Sequence, residues 1–188
     1  LKQEQLVLTG HAIEARICAE NPDNNFLPAT GTLQVYRKPA HTAFERAEAG
    51  ATHGVRVDDG VREGDAISPF YDSMVAKLIV HGDTREQALA RLDAALAQTH
   101  IVGLTTNVQF LRRVARSDSF AQGRLDTALI QREAEVLFNQ EPVGLALAAA
   151  ADVAQTLTDE RAAEGADPFS KTDGWRLHTE FGRRFAFE

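Results

Sequence analysis

The sequence predicts an α+β fold in which a largely antiparallel sheet carries helices on one face. Segments with strand-like alternation dominate the first part of the chain, and helical patterns dominate the part that begins near residue 84. Strands and helices that are segregated in this way typically form α+β layers, whereas regularly alternating strands and helices form parallel sheets. We expect this layer to be followed by a further helix and by the start of a second β domain.

Four segments in the first part have the pattern of strands. Residues 11–20 alternate in their first half, so that one face is apolar. Residues 32–37 and 54–60 are also strand-like, the latter lying between glycines. Residues 74–80 are strongly apolar apart from one lysine, which is typical of a central strand. Residues 39–52 are polar and uneven, and they are the best candidate for a mobile surface loop.

Capping signals mark the starts of the predicted helices. Residues 84–87 have the form of a capping box, with a hydroxyl at the N-cap and glutamine three residues later. One face of the helix behind it collects the apolar residues Ala88, Leu89, Leu92, Ala95 and Leu96. A short strand is expected at residues 100–104, and residues 106–109 repeat the capping signal. Asp126 is a candidate cap for a further helix that reaches about Phe138.

Changes in composition divide the chain into three predicted parts. Residues 1–138 contain the predicted sheet and its helices. Residues 139–174 contain an alanine-rich segment of high helix propensity and then a linker-like stretch. Residues 175–188 are β-like again but too short to close a sheet. We interpret this last part as the truncated start of a second domain, and the whole chain as a fragment.

Charge balance and cysteine content restrict the class of protein. The chain has 20 basic against 27 acidic residues, a net charge of −7, which argues against nucleic-acid or anionic-membrane partners. The single cysteine, Cys18, cannot form an internal disulfide, so a reducing compartment is expected. The longest apolar run, residues 143–151, is shorter than the roughly 20 residues of a membrane span. These features predict a cytoplasmic location.

No complete catalytic set is visible in the sequence. A Walker-type glycine loop, an HExxH or CxxC motif and a serine nucleophile elbow are all absent from it. The six histidines are scattered without the spacing of metal ligands, so no metal site is predicted.

Arg56 is the candidate functional residue with the clearest physical basis. It lies between Val55 and Val57 in a predicted strand, so its side chain projects to the face opposite both valines. A guanidinium is always charged and carries a rigid fork of donors, which suits a planar anion or a developing oxyanion. The alternative is that Arg56 simply pairs with Asp58 on the same strand face. The residues alone leave both interpretations open.

A second dense patch comes before the predicted central strand. Residues 69–74 place Tyr71 and Asp72 just ahead of that strand, which contains Lys77. An Asp-Ser pair at such a position is often only a turn. The alternative is that Tyr71 and Asp72 line a polar cleft, and the residues alone leave this open as well.

Four segments match one known family in the same order. They are GHAIEARICAE at residues 10–20, FLPATG at 26–31, GVRVD at 54–58 and YDSMVAKLI at 71–79. Together they resemble the C-terminal lobe of biotin carboxylase, an ATP-grasp enzyme, over residues 1–138. No single motif is decisive, but four motifs in this order are highly specific.

Two further segments resemble one branch of the biotin-dependent acyl-CoA carboxylases. IVGLTTNVQFL at residues 101–111 is similar to the α subunit of methylcrotonyl-CoA carboxylase. Residues 167–177 are similar to the segment that leads into the domain joining biotin carboxylase to carboxyltransferase, so residues 175–188 would begin that domain. Geranyl-CoA and propionyl-CoA carboxylases are near relatives, and the sequence separates them only weakly from the methylcrotonyl type.

The resemblance implies a role in the carboxylation of biotin. The complete enzyme uses ATP, Mg²⁺ and bicarbonate. Arg56 matches the arginine that donates hydrogen bonds to the ureido oxygen of biotin as negative charge develops there. Asp58, Tyr71 and Asp72 would support this site, and Lys77 would have a supporting or structural role.

The resemblance also implies partners and limits. Arg85 and Arg16 match positions at the interface of a biotin carboxylase homodimer, although Arg85 can also be interpreted as a surface residue of a capping turn. The other implied partners are the carboxyltransferase β subunit and the biotin carboxyl carrier domain. The ATP, metal and bicarbonate groups of the family would lie before residue 1, and the biotinylated domain after residue 188. The fragment alone is therefore predicted to be inactive and to bind none of these cofactors.

Departures from the family pattern concern loops rather than Arg56. Ala29 stands in place of a usual serine, Asp59 stands in place of a small hydroxyl residue, and the loop at residues 39–53 is long. Two other functions stay open, namely a non-catalytic dimerisation and assembly module and the lobe of another ATP-grasp ligase. Arg56 disfavours the second, because biotin explains an arginine on that strand.

Overall fold

The computed structural model describes residues 2–43, 54–138, 144–167, 170–171 and 182–185. It divides the chain into two units, Leu1–Asn139 and Gln140–Glu188. The strands of the first unit are β1 (His11–Cys18), β2 (Glu20–Asn21), β3 (Leu27–Pro28), β4 (Gly31–Thr32), β5 (Val35–Arg37), β6 (Val55–Asp59), β7 (Ala66–Ile67), β8 (Met74–Gly82) and β9 (His100–Val102).

The helices follow the strands along the chain. In the first unit they are α1 (Arg85–Ala97), α2 (Val108–Arg116), α3 (Asp118–Ala121), α4 (Leu129–Arg132) and α5 (Ala134–Phe138), and the second unit contains α6 (Leu145–Ala163). Short 3-10 turns lie at Gln3–Gln5 and Pro22–Asn24. This segregation of strands and helices confirms the predicted α+β class.

A three-stranded antiparallel sheet forms the centre of the first unit, with the strand order β1-β8-β6. The apolar segment at residues 74–80 therefore lies in the central strand, as predicted. Its inner face is apolar because Leu78 lies between Ala15 and Val57 in register. All three side chains are at most 5% exposed.

Helices α1 and α2 pack on this inner face, against β1 and β8. Leu92 and Leu96 of α1 are 3% and 1% exposed and belong to the same core as Leu78. Burial of each such leucine stabilises the fold by about 1.5–3 kcal/mol relative to an exposed side chain. This burial explains why the apolar stripe predicted for α1 forms a helix on one side of the sheet.

The remaining strands form two-stranded ladders rather than extensions of the central sheet. The strand predicted at residues 32–37 is interrupted after Thr32, because Leu33 has other backbone partners. Its N–H donates to Asp65 O at 2.9 Å, and its carbonyl accepts from Gly64 N at 2.8 Å. The strand predicted at residues 32–37 is therefore divided into β4 and β5. The pairs β1-β8, β6-β8, β2-β3, β4-β7 and β5-β9 are all antiparallel, which agrees with the predicted largely antiparallel sheet.

The start of α1 follows the sequence prediction only in part. Thr84 caps the helix, since its hydroxyl accepts from Gln87 N at 3.3 Å. The reciprocal bond of a capping box is not made to Thr84, because the Gln87 side chain accepts from Asp83 N instead. The helix predicted from Asp126 to Phe138 is divided at Glu133, whose φ of −102° and ψ of 15° lie outside the α-helical region.

A small aromatic core holds the later helices together. Phe110 of α2 packs edge-on against Phe26, with ring centroids 4.9 Å apart, and lies 5.5 Å from Phe138. Leu129 and Leu137 are the other buried residues of this cluster. These contacts join α4 and α5 to α2 and to the turn after β2.

The second unit contains the alanine-rich helix α6, which confirms the helix predicted for that segment. Arg183 donates to Glu160 of this helix at 2.5 Å and lies 4.7 Å from the Phe185 ring. Within the predicted β-like segment, residues 175–181 and 186–188 lie outside the described residues, and residues 182–185 form no strand. Most of the predicted surface loop, residues 44–53, is likewise outside the described part.

Among the described residues, none of the helices combines the length and the apolar character that crossing a bilayer requires.

Candidate functional site

The outer face of the central sheet, opposite α1 and α2, carries the charged residues of interest. In the antiparallel register, Arg56 lies opposite Ile79 and Asp58 lies opposite Lys77. Arg16 lies opposite Lys77 on the other side of β8. These five side chains are exposed or half-buried, in contrast to the buried inner face. The two-residue periodicity of the strands thus collects one polar surface.

Arg56 and Asp58 form a two-point ion pair on this outer face. Arg56 Nε donates to Asp58 Oδ1 at 2.8 Å, and Nη2 donates to Oδ2 at 2.7 Å. The two side chains are 43% and 22% exposed, so the pair is only partly screened from water. The hydrogen bonds to Asp58 raise the pKa of Arg56 above its ordinary value, so the guanidinium stays charged. The pairing alternative identified in the sequence is therefore present, and it also fixes the direction of the fork.

A cavity of about 630 Å³ adjoins Arg56 at the junction of β6, β8 and α1. Its lining includes Thr42, Gly54, Arg56, His81, Gln87 and Arg91. Arg91 donates to the carbonyl of His81 and so closes one side. A volume of this size is within the range of small-molecule sites. The lining also includes Asp83 beside the guanidinium groups of Arg56 and Arg91, so the cavity offers both charge signs and two rigid sets of donors for an anionic group of a ligand.

Tyr71 and Asp72 lie on a fixed turn that leads into β8. Asp72 Oδ1 accepts from Met74 N at 3.0 Å, so the turn predicted for the Asp-Ser pair is present. Both residues also line a cavity of about 190 Å³ with Gly60. Tyr71 is 89% exposed. The structure therefore places Tyr71 and Asp72 at a different cavity from the one that Arg56 lines.

Arg85 and Arg16 are the residues predicted for a dimer interface. Arg85 donates to the carbonyls of Phe120 at 2.5 Å and Ala121 at 3.1 Å, and its guanidinium lies 5.2 Å from the Phe120 ring. Arg85 therefore ties α1 to the end of α3 within the chain. Arg16 is 69% exposed, pairs with Glu14 at 3.3 Å, and lines a cavity of about 190 Å³ together with Phe120.

Among the described residues, no group of three or more His, Cys, Asp or Glu is arranged to hold a metal ion.

Comparison with known proteins decides the family. Residues 14–132 match the family model described as "Biotin carboxylase C-terminal domain". The chain belongs to this family. The match covers β1 to α4 and therefore includes the outer face, Arg56 and the turn with Tyr71.

Curated relatives of this biotin carboxylase C-terminal domain include methylcrotonoyl-CoA carboxylase α subunits. The mitochondrial α subunit of Dictyostelium discoideum is 38% identical over 192 residues, covering 100% of this chain and 26% of that protein. The mitochondrial α subunit of Oryza sativa subsp. japonica is 48% identical over 132 residues, covering 70% of this chain and 17% of that protein. The chain thus spans 26% or less of the length of these relatives.

Solved structures show the same fold. The biotin carboxylase domain dimer of Hydrogenobacter thermophilus 2-oxoglutarate carboxylase, in complex with MgADP, ADP and bicarbonate, is 31% identical with a TM-score of 0.66. The similarity covers 75% of this chain and 29% of that one. A biotin carboxylase subunit of pyruvate carboxylase is 33% identical, also with a TM-score of 0.66, over 75% of this chain and 29% of the other.

Asp59, a departure from the family pattern, has a defined role in this biotin carboxylase domain. Its carboxylate accepts from Tyr36 Oη at 3.0 Å and from Lys38 Nζ at 2.7 Å, and so joins the end of β6 to β5. Burial raises the pKa of Tyr36 above its ordinary value, and the nearby Asp59 charge adds to this effect. A small hydroxyl residue would not supply this charge.

Asn107 lies within the capping pattern predicted at residues 106–109 and was not among the predicted site residues. Its side chain, 7% exposed, instead binds the backbone of β1 beside Arg16. The capping pattern at residues 106–109 is a local signal. It carries no information about a partner strand that lies about 90 residues earlier in the chain.

Proposed function

We propose that this chain is the C-terminal part of the biotin carboxylase region of a methylcrotonyl-CoA carboxylase α subunit, and that Arg56 acts on biotin. One observation carries the proposal. Arg56 is held at two nitrogens by Asp58 on the outer face of the sheet and lines a cavity of about 630 Å³, in a chain of this family.

The residues at this cavity fit the ureido group of biotin. When bound in the complete ATP-grasp enzyme, bicarbonate would supply the carboxyl group that biotin accepts, and ATP with Mg²⁺ would supply the phosphoryl group that activates the bicarbonate. Arg56 would donate hydrogen bonds to the ureido oxygen as the proton leaves N1′ and negative charge develops on that oxygen. A donor that is already oriented costs no reorganisation when the charge appears, which is the basis of oxyanion stabilisation.

Asp58 would act as a positioning residue for Arg56. A guanidinium carries five N–H donors in a rigid fork, so one carboxylate can orient it without using every donor. Tyr71 and Asp72, which line a separate cavity of about 190 Å³ in this chain, are proposed to support bound biotin from the turn that leads into β8. Lys77 lies between Arg16 and Asp58 on the outer face and would contribute positive charge there.

Homodimerisation through the biotin carboxylase region is also proposed. The Hydrogenobacter domain, 31% identical to this chain, is described as a dimer. Arg16 and Arg85 are the proposed interface residues. The carboxyltransferase β subunit and the biotin carboxyl carrier domain would be further partners. Residues 139–174 would form a helix and linker, and 175–188 the beginning of the domain that contacts carboxyltransferase.

The cytoplasmic location predicted from composition stays a prediction, since several of the relatives have mitochondrial in their names. The choice of methylcrotonyl-CoA rather than geranyl-CoA or propionyl-CoA is supported by the α subunits at 38–48% identity.

One experiment separates the enzyme from the assembly module. Arg56→Ala in the complete subunit is expected to abolish most carboxylation of free biotin, while the oligomer measured by light scattering stays intact. The 188-residue chain alone is expected to show no bicarbonate-dependent ATPase. If Arg56→Ala instead dissociates the oligomer and leaves the rate of carboxylation unchanged, the chain functions as an assembly module.

A further inference from the structure

Asn107 is an asparagine at the start of a helix that does not cap the helix. It precedes α2, but its side chain makes no capping bond there. Asparagine is among the best N-cap residues, because its oxygen accepts from the orphan N–H groups of the first turn. The side chain instead forms its hydrogen bonds with the backbone of β1, so in this fold those bonds replace the capping bond.

The side chain and backbone of Asn107 clamp the end of β1. Its Oδ1 accepts from Cys18 N at 2.9 Å, and its Nδ2 donates to Arg16 O at 3.0 Å. Its own N–H donates to Cys18 O at 3.1 Å. Three hydrogen bonds therefore hold the backbone of residues 16–18. Asn107 is 7% exposed, so an unmet donor or acceptor here would be costly.

The clamped segment is the site of a β-bulge between β1 and β8. Ile17 pairs with Ala76, but Cys18 pairs with Met74, so Val75 is the extra residue. Val75 and Ala76 are 1% and 2% exposed, so two consecutive side chains are buried and the alternation of β8 is reset. A bulge turns the following side chains to the opposite face, and such bulges are frequent beside functional sites.

The turn that carries Tyr71 and Asp72 is attached at this bulge. Ala19 N, one residue after the clamp, donates to Ser73 O at 2.8 Å. Ser73 Oγ donates to Glu20 Oε1 at 2.6 Å. The direction from which the turn enters β8 thus depends on where β1 ends.

We infer that Asn107 is a positioning residue for the biotin site, because it holds the bulge that directs the turn of Tyr71 and Asp72. The inference rests on the proposed function, in which these two residues support that site. Asn107 does not contact biotin in this account. It acts through the backbone of residues 16–19 and through Ser73.

Serine at position 107 separates this role from helix capping. Its hydroxyl is an effective N-cap for α2 but is too short to bind Cys18 N and Arg16 O together. Asn107→Ser therefore keeps the start of the helix and removes the clamp. Asn107→Ala removes the clamp and supplies no side-chain cap. Thr99→Val is the matched control, because Thr99 is also 7% exposed and its hydroxyl donates to Ala95 O at 2.9 Å, away from the bulge.

Hydrogen exchange of the complete subunit tests the clamp itself. In Asn107→Ser, exchange in the peptide that contains Cys18 is expected to be faster on the order of tenfold, since a buried hydrogen bond is lost. Thr99→Val is expected to leave that peptide unchanged. An unchanged Cys18 peptide in both Asn107 variants would overturn the inference.

Steady-state kinetics test the consequence for biotin. For Asn107→Ser, kcat/KM for free biotin is expected to fall on the order of 10–10²-fold, which is the loss expected when groups of a site are displaced by about 1 Å. The KM for ATP is expected to stay unchanged. Equal losses of kcat/KM in Asn107→Ser and Thr99→Val would show that Asn107 has only a general structural role, and would overturn the inference. If Arg56→Ala is fully active, the proposed function fails first. If Arg56→Ala is inactive but Asn107→Ser behaves as wild type, only this inference fails.

Discussion

Asp58 binds two nitrogens of Arg56, with Nε 2.8 Å from Oδ1 and Nη2 2.7 Å from Oδ2. The two residues are separated by one position on β6, so their side chains leave the same face of the sheet. Such a pair contributes little to stability when it is partly exposed. Its consequence is geometric, because two parallel hydrogen bonds fix the plane of the guanidinium.

Asp58→Asn is predicted to reduce biotin carboxylation less than Arg56→Ala does, because it weakens the orientation of the guanidinium but leaves the donor in place. The two changes are expected to be strongly non-additive, since Asp58 acts through Arg56. Rates of carboxybiotin formation for the two single variants and the double variant measure this coupling. Additive losses would show that Asp58 acts independently of Arg56.

Asp93 is predicted to stabilise the packing of α1 against α2. Its carboxylate accepts from Arg112 Nε at 3.1 Å and Arg116 Nη2 at 2.7 Å. Asp93→Asn is expected to lower the free energy of unfolding by about 1 kcal/mol at pH 7, measured by urea denaturation. Asp126→Asn, which weakens a more exposed pair with Arg132, is the control and is expected to have a smaller effect.

The contribution of Asp93 is expected to depend on pH. Burial acts to raise the pKa of Asp93, but the hydrogen bonds from Arg116 and Arg112 outweigh it, and the pKa is lower than the ordinary value. A carboxyl whose pKa is lowered by folding stabilises the protein above its unfolded pKa and loses that effect in acid. The difference between wild type and Asp93→Asn should therefore begin to shrink as the pH falls below about 4 and be lost as the pH falls through the lower folded pKa. A difference that does not shrink between pH 7 and pH 2 would contradict this assignment.

Tyr36 is predicted to make the fold sensitive to alkali. Its pKa is raised by burial and by Asp59, so folding favours the neutral phenol. The stability from this group is complete below the unfolded pKa of about 10 and is lost as the pH rises above it. Urea denaturation at pH 8 and pH 11 is expected to show a smaller loss for Tyr36→Phe than for wild type. Equal losses in the two proteins would show that Tyr36 is not the responsible group.

Local patterns were sufficient to predict the elements that bury their own apolar face. The run at residues 74–80 became the central strand because both neighbours of Leu78 in the sheet are apolar. The stripe with Leu92 and Leu96 became α1 because that face enters the same core. The position of Arg56 on the outer face followed from the two-residue periodicity of β6.

Partners distant in the sequence could not be predicted in this way. The capping signal at residues 106–109 gave Asn107 no partner outside the helix, but its side chain binds Cys18, which lies 89 residues earlier. Asp59 was noted only as a departure, because its bond to Tyr36 depends on how β5 lies beside β6. The break at Leu33 was missed for the same reason. Each of these features depends on backbone geometry that forms only after the strands have packed.

The most direct test is the rate at which the complete subunit carboxylates free biotin with ATP and bicarbonate, compared between Arg56→Ala and Arg132→Ala. Both arginines are 43% exposed and paired with an aspartate, so the two side chains are matched in exposure and in having a carboxylate partner. The predicted result is a loss of about 10²–10³ in rate for Arg56→Ala and nearly wild-type activity for Arg132→Ala. Equal rates for the two variants would contradict a role for Arg56 in biotin carboxylation.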